Sequence, residues 1–143
     1  TPQLFTVSLD GSTRSLVTDY STDPAWAPDG EMVVYSGPDI GTTFSMKAAN
    51  TSGPVSLPNL TLTRGARRVR FLPERRALVV MRGEVQHKNL WLIDLATRVE
   101  RQLTVVPADF QIRDFDVSPD GSQIVLERIE EDSDIVLLEI TDD

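Results

Sequence analysis

The chain has no cysteine among its 143 residues. That removes disulfides, thiol catalysis and thiolate metal sites together, and leaves the redox compartment open, because a cysteine-free chain tolerates either. Histidine is nearly absent as well. A Ser-His-Asp triad would have to use His87, the single histidine, and no Gly-x-Ser-x-Gly elbow supplies a nucleophile. Metal binding would fall to carboxylates alone. Basic residues are few: 14 Lys and Arg against 22 Asp and Glu give a net charge of -8, which argues against nucleic acid as a partner, since a phosphate-tracking surface needs a basic excess. No apolar run is long enough to span a bilayer, and the N-terminus TPQLFTVSLD has neither a basic nor a long apolar region. No membrane insertion and no signal peptide are expected. No segment has helical periodicity, so the glycine-rich loop opening a helix that cradles phosphates is missing too. The chain reads as non-enzymatic and without a cofactor.

A repeated turn is what the sequence does have. Residues 26–30 read WAPDG, residues 117–121 read VSPDG, and a worn copy, FLPER, occupies residues 71–75. Placing Pro28, Pro73 and Pro119 in register gives a period of about 45 residues, the range of a four-stranded propeller blade. Each proline is followed by an apolar run (EMVVYSG, RRALVVMRG, SQIVLERI) and then by a second extended segment (FSMKAAN, NLWLIDLAT, DIVLLEIT). The stretch 4–18, LFTVSLDGSTRSLVT, lies without a gap on 90–104, LWLIDLATRVERQLT, so that Leu4, Val7, Leu9 and Thr18 match Leu90, Ile93, Leu95 and Thr104. The segments are short, rich in Val, Ile, Leu and Thr, and bounded by Gly, Pro, Asn and Asp, which makes them strands. Pro-Asp-Gly is a hairpin tip: Pro presets the first turn position, Asp bonds backbone ahead of it, and Gly accepts the left-handed conformation. With Glu74 and Arg75 in place of Asp and Gly, the middle turn is expected to be looser, or of a type without positive φ.

The expected fold is therefore all-β, an antiparallel β-propeller segment of about three four-stranded blades. Residues 1–20 supply the last two strands of a preceding blade, 21–63 and 64–104 form two blades, and 105–143 form an incomplete one. Trp26, Phe71 and Val117, with Val33, Val79, Val125, Trp91 and Ile93, are expected in the cores between sheets. The strand phase reads as a fragment of a larger or dimer-closed propeller.

The pattern LVTDYSTDPAWAPDGEMVVYSG, with KNLWLIDLATRVERQLT and FDVSPDGSQIVLERI, resembles the TolB-like β-propeller repeats related to WD repeats, over nearly the whole chain. The closing stretch from Lys88 looks like the C-terminal blades of bacterial propellers fused to kinase or transcription-regulator domains. The resemblance implies a non-catalytic scaffold for protein or peptide contacts and a periplasmic or extracytoplasmic setting. The alternative it allows is the substrate-gating propeller of a prolyl-oligopeptidase-like serine peptidase. A kinase or winged-helix domain in the full reading frame supports the first, a Ser-Asp-His hydrolase domain the second.

Charge supplies the candidate site. Arg64, Arg67, Arg68, Arg70, Arg75 and Arg76 crowd into a dozen residues of an acidic protein. Residues alternate faces along a strand, and the repeat register sets Arg70 level with Asp116, which predicts an ion pair between neighbouring blades. It sends Arg75 and Arg76 to the rim opposite Arg64 and Arg67. Residues 21–23, 37–43, 63–68, 83–88, 106–113 and 130–134 are expected to share one rim. There Asp23, Arg68 and Asp114 are equivalent by register and, with Arg64, are the candidate partner contacts. The acidic run 127–134, ERIEEDSD, lacks the spacing of a calcium loop and reads as a solvated connection. An incomplete ring leaves apolar edges, Ile135, Leu137 and Ile140 among them, for a homodimer or for the missing remainder of the propeller.

Overall fold

The structure, a computed structural model of the chain, describes residues 1–64, 69–129 and 134–141. Among them there is no helix. A two-stranded sheet pairs β1 (Leu4–Val7) with β2 (Thr13–Val17). The second sheet runs β3 (Thr22–Trp26), β4 (Val33–Ile40), β5 (Thr43–Asn50), β6 (Gly53–Val55), with β7 (Thr61–Thr63) also against β5. The third runs β8 (Val69–Phe71), β9 (Ala77–Glu84), β10 (His87–Asp94), β11 (Glu100–Gln102). The fourth holds β12 (Gln111–Val117), β13 (Gln123–Ile129) and β14 (Asp134–Glu139). Every pairing among the described residues is antiparallel, and apart from that of β5 with β7 each joins strands consecutive in the chain, the connectivity of a meander.

The sheets stack in chain order, and each junction has its own apolar core. Leu4, Leu16 and Val17 of the first sheet cover Val33, Tyr35 and Ala49 of the second. Phe44, Met46 and Ala48 of the second pack with Val69, Leu78, Val80 and Ile93 of the third. Val79, Met81 and Leu90 of the third meet Ile112, Phe115, Ile124 and Leu126 of the fourth. A strand with both faces covered should be apolar throughout, and one with a single covered face should alternate. β9 is buried at every position from Ala77 to Met81, because its sheet has a neighbour on each side. β13 alternates instead: Ile124 and Leu126 are buried while Val125 is exposed.

That alternation corrects two core expectations. Val33, Val79 and Ile93 are buried and Trp91 is half-buried against the second core, but Trp26 is 58% exposed and Val125 39%. Trp26 pairs with Val33 as Phe71 pairs with Leu78 and Val117 with Ile124. Phe71 and Val117 are half-buried at junctions where a complete sheet precedes them. Trp26 faces the two-stranded first sheet, which reaches Val33 and Ala49 but leaves the inner strand bare.

The turns correct a third. Gly30 and Gly121 take φ of 72° and 73° and close bonds to the Ala27 and Ser118 carbonyls, both at 2.9 Å. In the middle copy the positive φ persists, moved to Glu74 at 62°. Proline followed by a positive-φ residue is the pattern of a type II turn, and the Leu72 amide still closes the hairpin on the Ala77 carbonyl at 2.9 Å.

Candidate functional site

One end of the sheet stack is built by the β9–β10 hairpin and the connections on either side of it. Lys88 pairs with Gly83 near the hairpin tip and is only 2% exposed. Its ammonium Nζ donates to three backbone carbonyls, of Arg64 at 2.7 Å, Glu84 at 3.1 Å and Val85 at 3.3 Å. Burial lowers its pKa below the usual lysine range, yet three carbonyl dipoles converge where a cation can be held without a carboxylate. Lys88 thereby ties its own hairpin to the connection preceding β8. The Arg64 amide in turn donates to the Thr42 carbonyl at 2.8 Å, which brings in the β4–β5 turn.

The neighbouring residues tie the hairpin to the connection that follows. His87 Nε2 lies 3.2 Å from the Val106 carbonyl oxygen and 3.1 Å from that of Pro107. Asn89 Oδ1 accepts from the Val106 amide and from the Thr104 hydroxyl, each at 2.9 Å, and that hydroxyl accepts from the Leu90 amide at 2.9 Å. Thr104 is the buried threonine of the Leu-Thr pair at the end of the repeat. Its place in the repeat thus has a physical reason: it satisfies an amide that the β10–β11 ladder leaves over.

Of the four candidate contact residues, Arg64 belongs to this network through its carbonyl, which accepts from Lys88. Asp23 is exposed, at a bulge between Thr22 and Ala25 where its φ is 53°. Arg64 is exposed beside the Lys88 cage. Arg68 lies outside the described residues, as does Arg67. Asp114 is half-buried at a second bulge, between Ile112 and Asp114, and its Oδ1 accepts from the Phe115 amide at 2.8 Å. Asp23 and Asp114 sit on β3 and β12, with β8 between those two strands. Both bulges fall on innermost strands, where they re-aim a side chain without disturbing the ladder beyond.

The other charged expectations fall elsewhere. Arg70 Nε lies 3.6 Å from Asp116 Oδ1, bridging the inner strands of the third and fourth sheets. Arg76 reaches Asp29 at 3.0 Å and Glu31 at 3.1 Å, at the Pro-Asp-Gly end of the stack. Among the described arginines, Arg64 and Arg76 therefore stand at opposite ends of the stack. Residues 130–133 of the acidic run lie outside the described residues, and among those described no cluster of carboxylates and histidine could hold a metal ion. Sequence reasoning gave Lys88 no role. Nothing local marks it, because its acceptors are main-chain carbonyls, one of them 24 residues away.

No protein-family model matches the chain, and no curated protein matches its sequence. Solved structures do match. TolB from Acinetobacter baumannii superimposes with a TM-score of 0.72 at 18% identity, over 98% of this chain and 35% of that one. Putative TolB from Agrobacterium tumefaciens gives 0.68 at 17% identity, over 91% of this chain and 50% of that one. The chain thus spans between a third and a half of the structures it resembles. With four antiparallel sheets stacked in chain order and a likeness that covers nearly all of its length, the chain has the TolB-like β-propeller fold.

Proposed function

We propose that the chain is a non-catalytic β-propeller module for interaction or sensing, part of a larger bacterial regulatory protein, and that it recognises a protein or peptide segment through the rim bearing Asp23, Arg64, Arg68 and Asp114. The observation that carries this reading is the rim network. Lys88, His87 and Asn89 hold the connections around the β9–β10 hairpin to one another through main-chain atoms, which presents exposed charge on a preorganised surface. Preorganised loops on a rigid sheet scaffold are suited to binding. The same bonds commit the one histidine to main-chain carbonyls. The net charge of -8 favours protein over nucleic acid as the partner. At the two ends of the arc the reading extends to contact with a second copy or with further blades.

The test has two parts. The purified chain is assayed against a panel of peptides and phosphoesters, and binding of a partner recovered by crosslinking at the rim is measured for Asp23→Ala, Arg64→Ala and Asp114→Ala. The expected result is no turnover, and affinity lowered by about fivefold or more for at least one rim variant, the scale of a contact worth about 1 kcal/mol. Turnover abolished by His87→Ala, or full affinity in all three variants, contradicts the proposal.

A further inference from the structure

Hairpin tips that meet only water favour Gly, Asn, Asp and Ser, and an aliphatic side chain left in water there adds nothing to the fold. Two consecutive tips of this chain nevertheless carry one. Asp39-Ile40 and Glu84-Val85 stand at the same interval after Pro28 and Pro73, so an acidic residue followed by an aliphatic one recurs at the β4–β5 and β9–β10 tips. Ile40 is 68% exposed and Val85 40%, and Asp39 and Glu84 are exposed beside them. A third aliphatic side chain, Val105, is 89% exposed in the connection from β11 to β12.

These three residues belong to one bonded rim. The Arg64 amide donates to the Thr42 carbonyl at 2.8 Å, in the turn that Ile40 opens. Lys88 Nζ joins the Arg64 and Val85 carbonyls, at 2.7 Å and 3.3 Å. His87 Nε2 lies 3.2 Å from the carbonyl oxygen of Val106, the residue after Val105. These bonds to main-chain atoms fix Ile40, Val85 and Val105 on connections that do not shift independently, which lowers the ordering cost of binding there. Ile40 and Val85 stand on the second and third sheets, each of which has a sheet against either face. The tips project from strand ends rather than from those faces, so further sheets added to the stack would leave them uncovered.

Charge narrows the partner. The two tips and the β11–β12 connection bear the exposed carboxylates of Asp39, Glu84 and Asp109 on a chain of net charge -8. The cations of this rim lie at Arg64 and, in sequence, just before β8, the innermost strand of its sheet, whereas both acidic tips belong to middle strands. Aliphatic side chains bordered by carboxylates match aliphatic side chains bordered by lysine or arginine. They oppose an anionic lipid surface, which carries the same sign of charge. We infer that the row of Ile40, Val85 and Val105 docks a segment of a partner protein in which aliphatic residues are accompanied by lysine or arginine. The inference rests on the proposed rim recognition and deepens it, by naming the chemistry of the segment and the row it meets.

The experiment selects from a random-peptide phage library on the purified chain and then measures the enriched peptide, synthesised free, by fluorescence anisotropy. Enriched sequences are expected to combine aliphatic with basic residues. Ile40→Ser/Val85→Ser is expected to lower affinity about tenfold or more, and Glu84→Gln to lower it chiefly at low salt. Asp29→Asn, at the opposite end of the stack, is expected to leave it unchanged. All four positions are exposed, and circular dichroism checks that each variant keeps the strand spectrum of the parent. No enrichment, enrichment of acidic or uncharged sequences, or full affinity in the Ile40/Val85 variant overturns the inference, as does an equal loss in Asp29→Asn. Phosphatidylcholine and phosphatidylglycerol vesicles that sediment the parent but not the Ile40/Val85 variant assign the tips to a membrane and overturn it too. A partner crosslinked at the rim that is lost by Asp23→Ala, Arg64→Ala or Asp114→Ala, yet kept by Ile40→Ser/Val85→Ser, refutes the row alone and leaves rim recognition standing.

Discussion

Gly30 and Gly121 hold the same turn position at almost the same φ, yet a Cβ added at Gly30 meets nothing within 4 Å, while at Gly121 it would come within 2.9 Å of the Pro73 ring. The left-handed penalty for a side chain, about 1–2 kcal/mol, is common to both. The clash is not, because a proline ring has little freedom to move away. Gly30→Ala is therefore expected to lose about 1–2 kcal/mol, and Gly121→Ala measurably more; urea unfolding of the two variants compares them directly, and equal losses contradict the account. Asp120, in the same turn, accepts from the Ser118 hydroxyl and from the amide and hydroxyl of Ser122, which holds its pKa at about 2. A carboxylate depressed in the folded state contributes stability that is present above its unfolded pKa and is lost as pH falls through the folded value. The contribution should fade between about pH 4 and pH 2, and Asp120→Asn should flatten that part of a melting-temperature profile. Unchanged acid sensitivity in the variant contradicts the assignment. The Pro-Asp-Gly turns were legible because each residue has a local reason to be there. Glu74 was not, since a proline turn can keep a positive φ by moving it one residue, and propensity alone does not show which residue will take it.

Strands were readable from their apolar runs, but which face each one covers depends on neighbours the local pattern does not contain. β9 and β13 occupy equivalent positions, yet only β9 has a sheet against each face. For the same reason Trp26 reads as core in the sequence and stands exposed in the fold. Lys88 is the opposite case, a charge in β10 that reads as surface and is buried. Replacing it with methionine keeps the length and removes the ammonium, leaving three carbonyls without their shared donor. Lys88→Met is expected to cost about 1–3 kcal/mol and to speed hydrogen exchange at the Arg64 amide well before global unfolding. Hydrogen-exchange mass spectrometry reads this directly. Exchange at Arg64 unchanged in the variant means that the ammonium does not hold that connection.

At the scale of the molecule, the stacking order and the all-β class followed from one repeated turn and its spacing, because a four-stranded unit that cannot bury its faces alone must stack on its neighbours. The candidate rim was only partly legible. The repeat register placed Arg70 beside Asp116 correctly, since register needs only strand periodicity. The cage of Lys88 and the carbonyl contacts of His87 depend on loop paths, which periodicity does not fix. Charge also limits partner choice at this scale, because an overall charge of -8 opposes polyanions at long range. The central claim is that the chain works by contact through the rim around Lys88. Site-specific photo-crosslinking in the native host tests it most directly, with a photoreactive residue placed in turn at Asp23, Arg64 and Asp114, and at Asp29 and Asp120 on the opposite end. The account predicts a discrete protein adduct from at least one of the first three positions and none from the last two. Adducts from the Pro-Asp-Gly end alone, or the same adducts from both ends, contradict it.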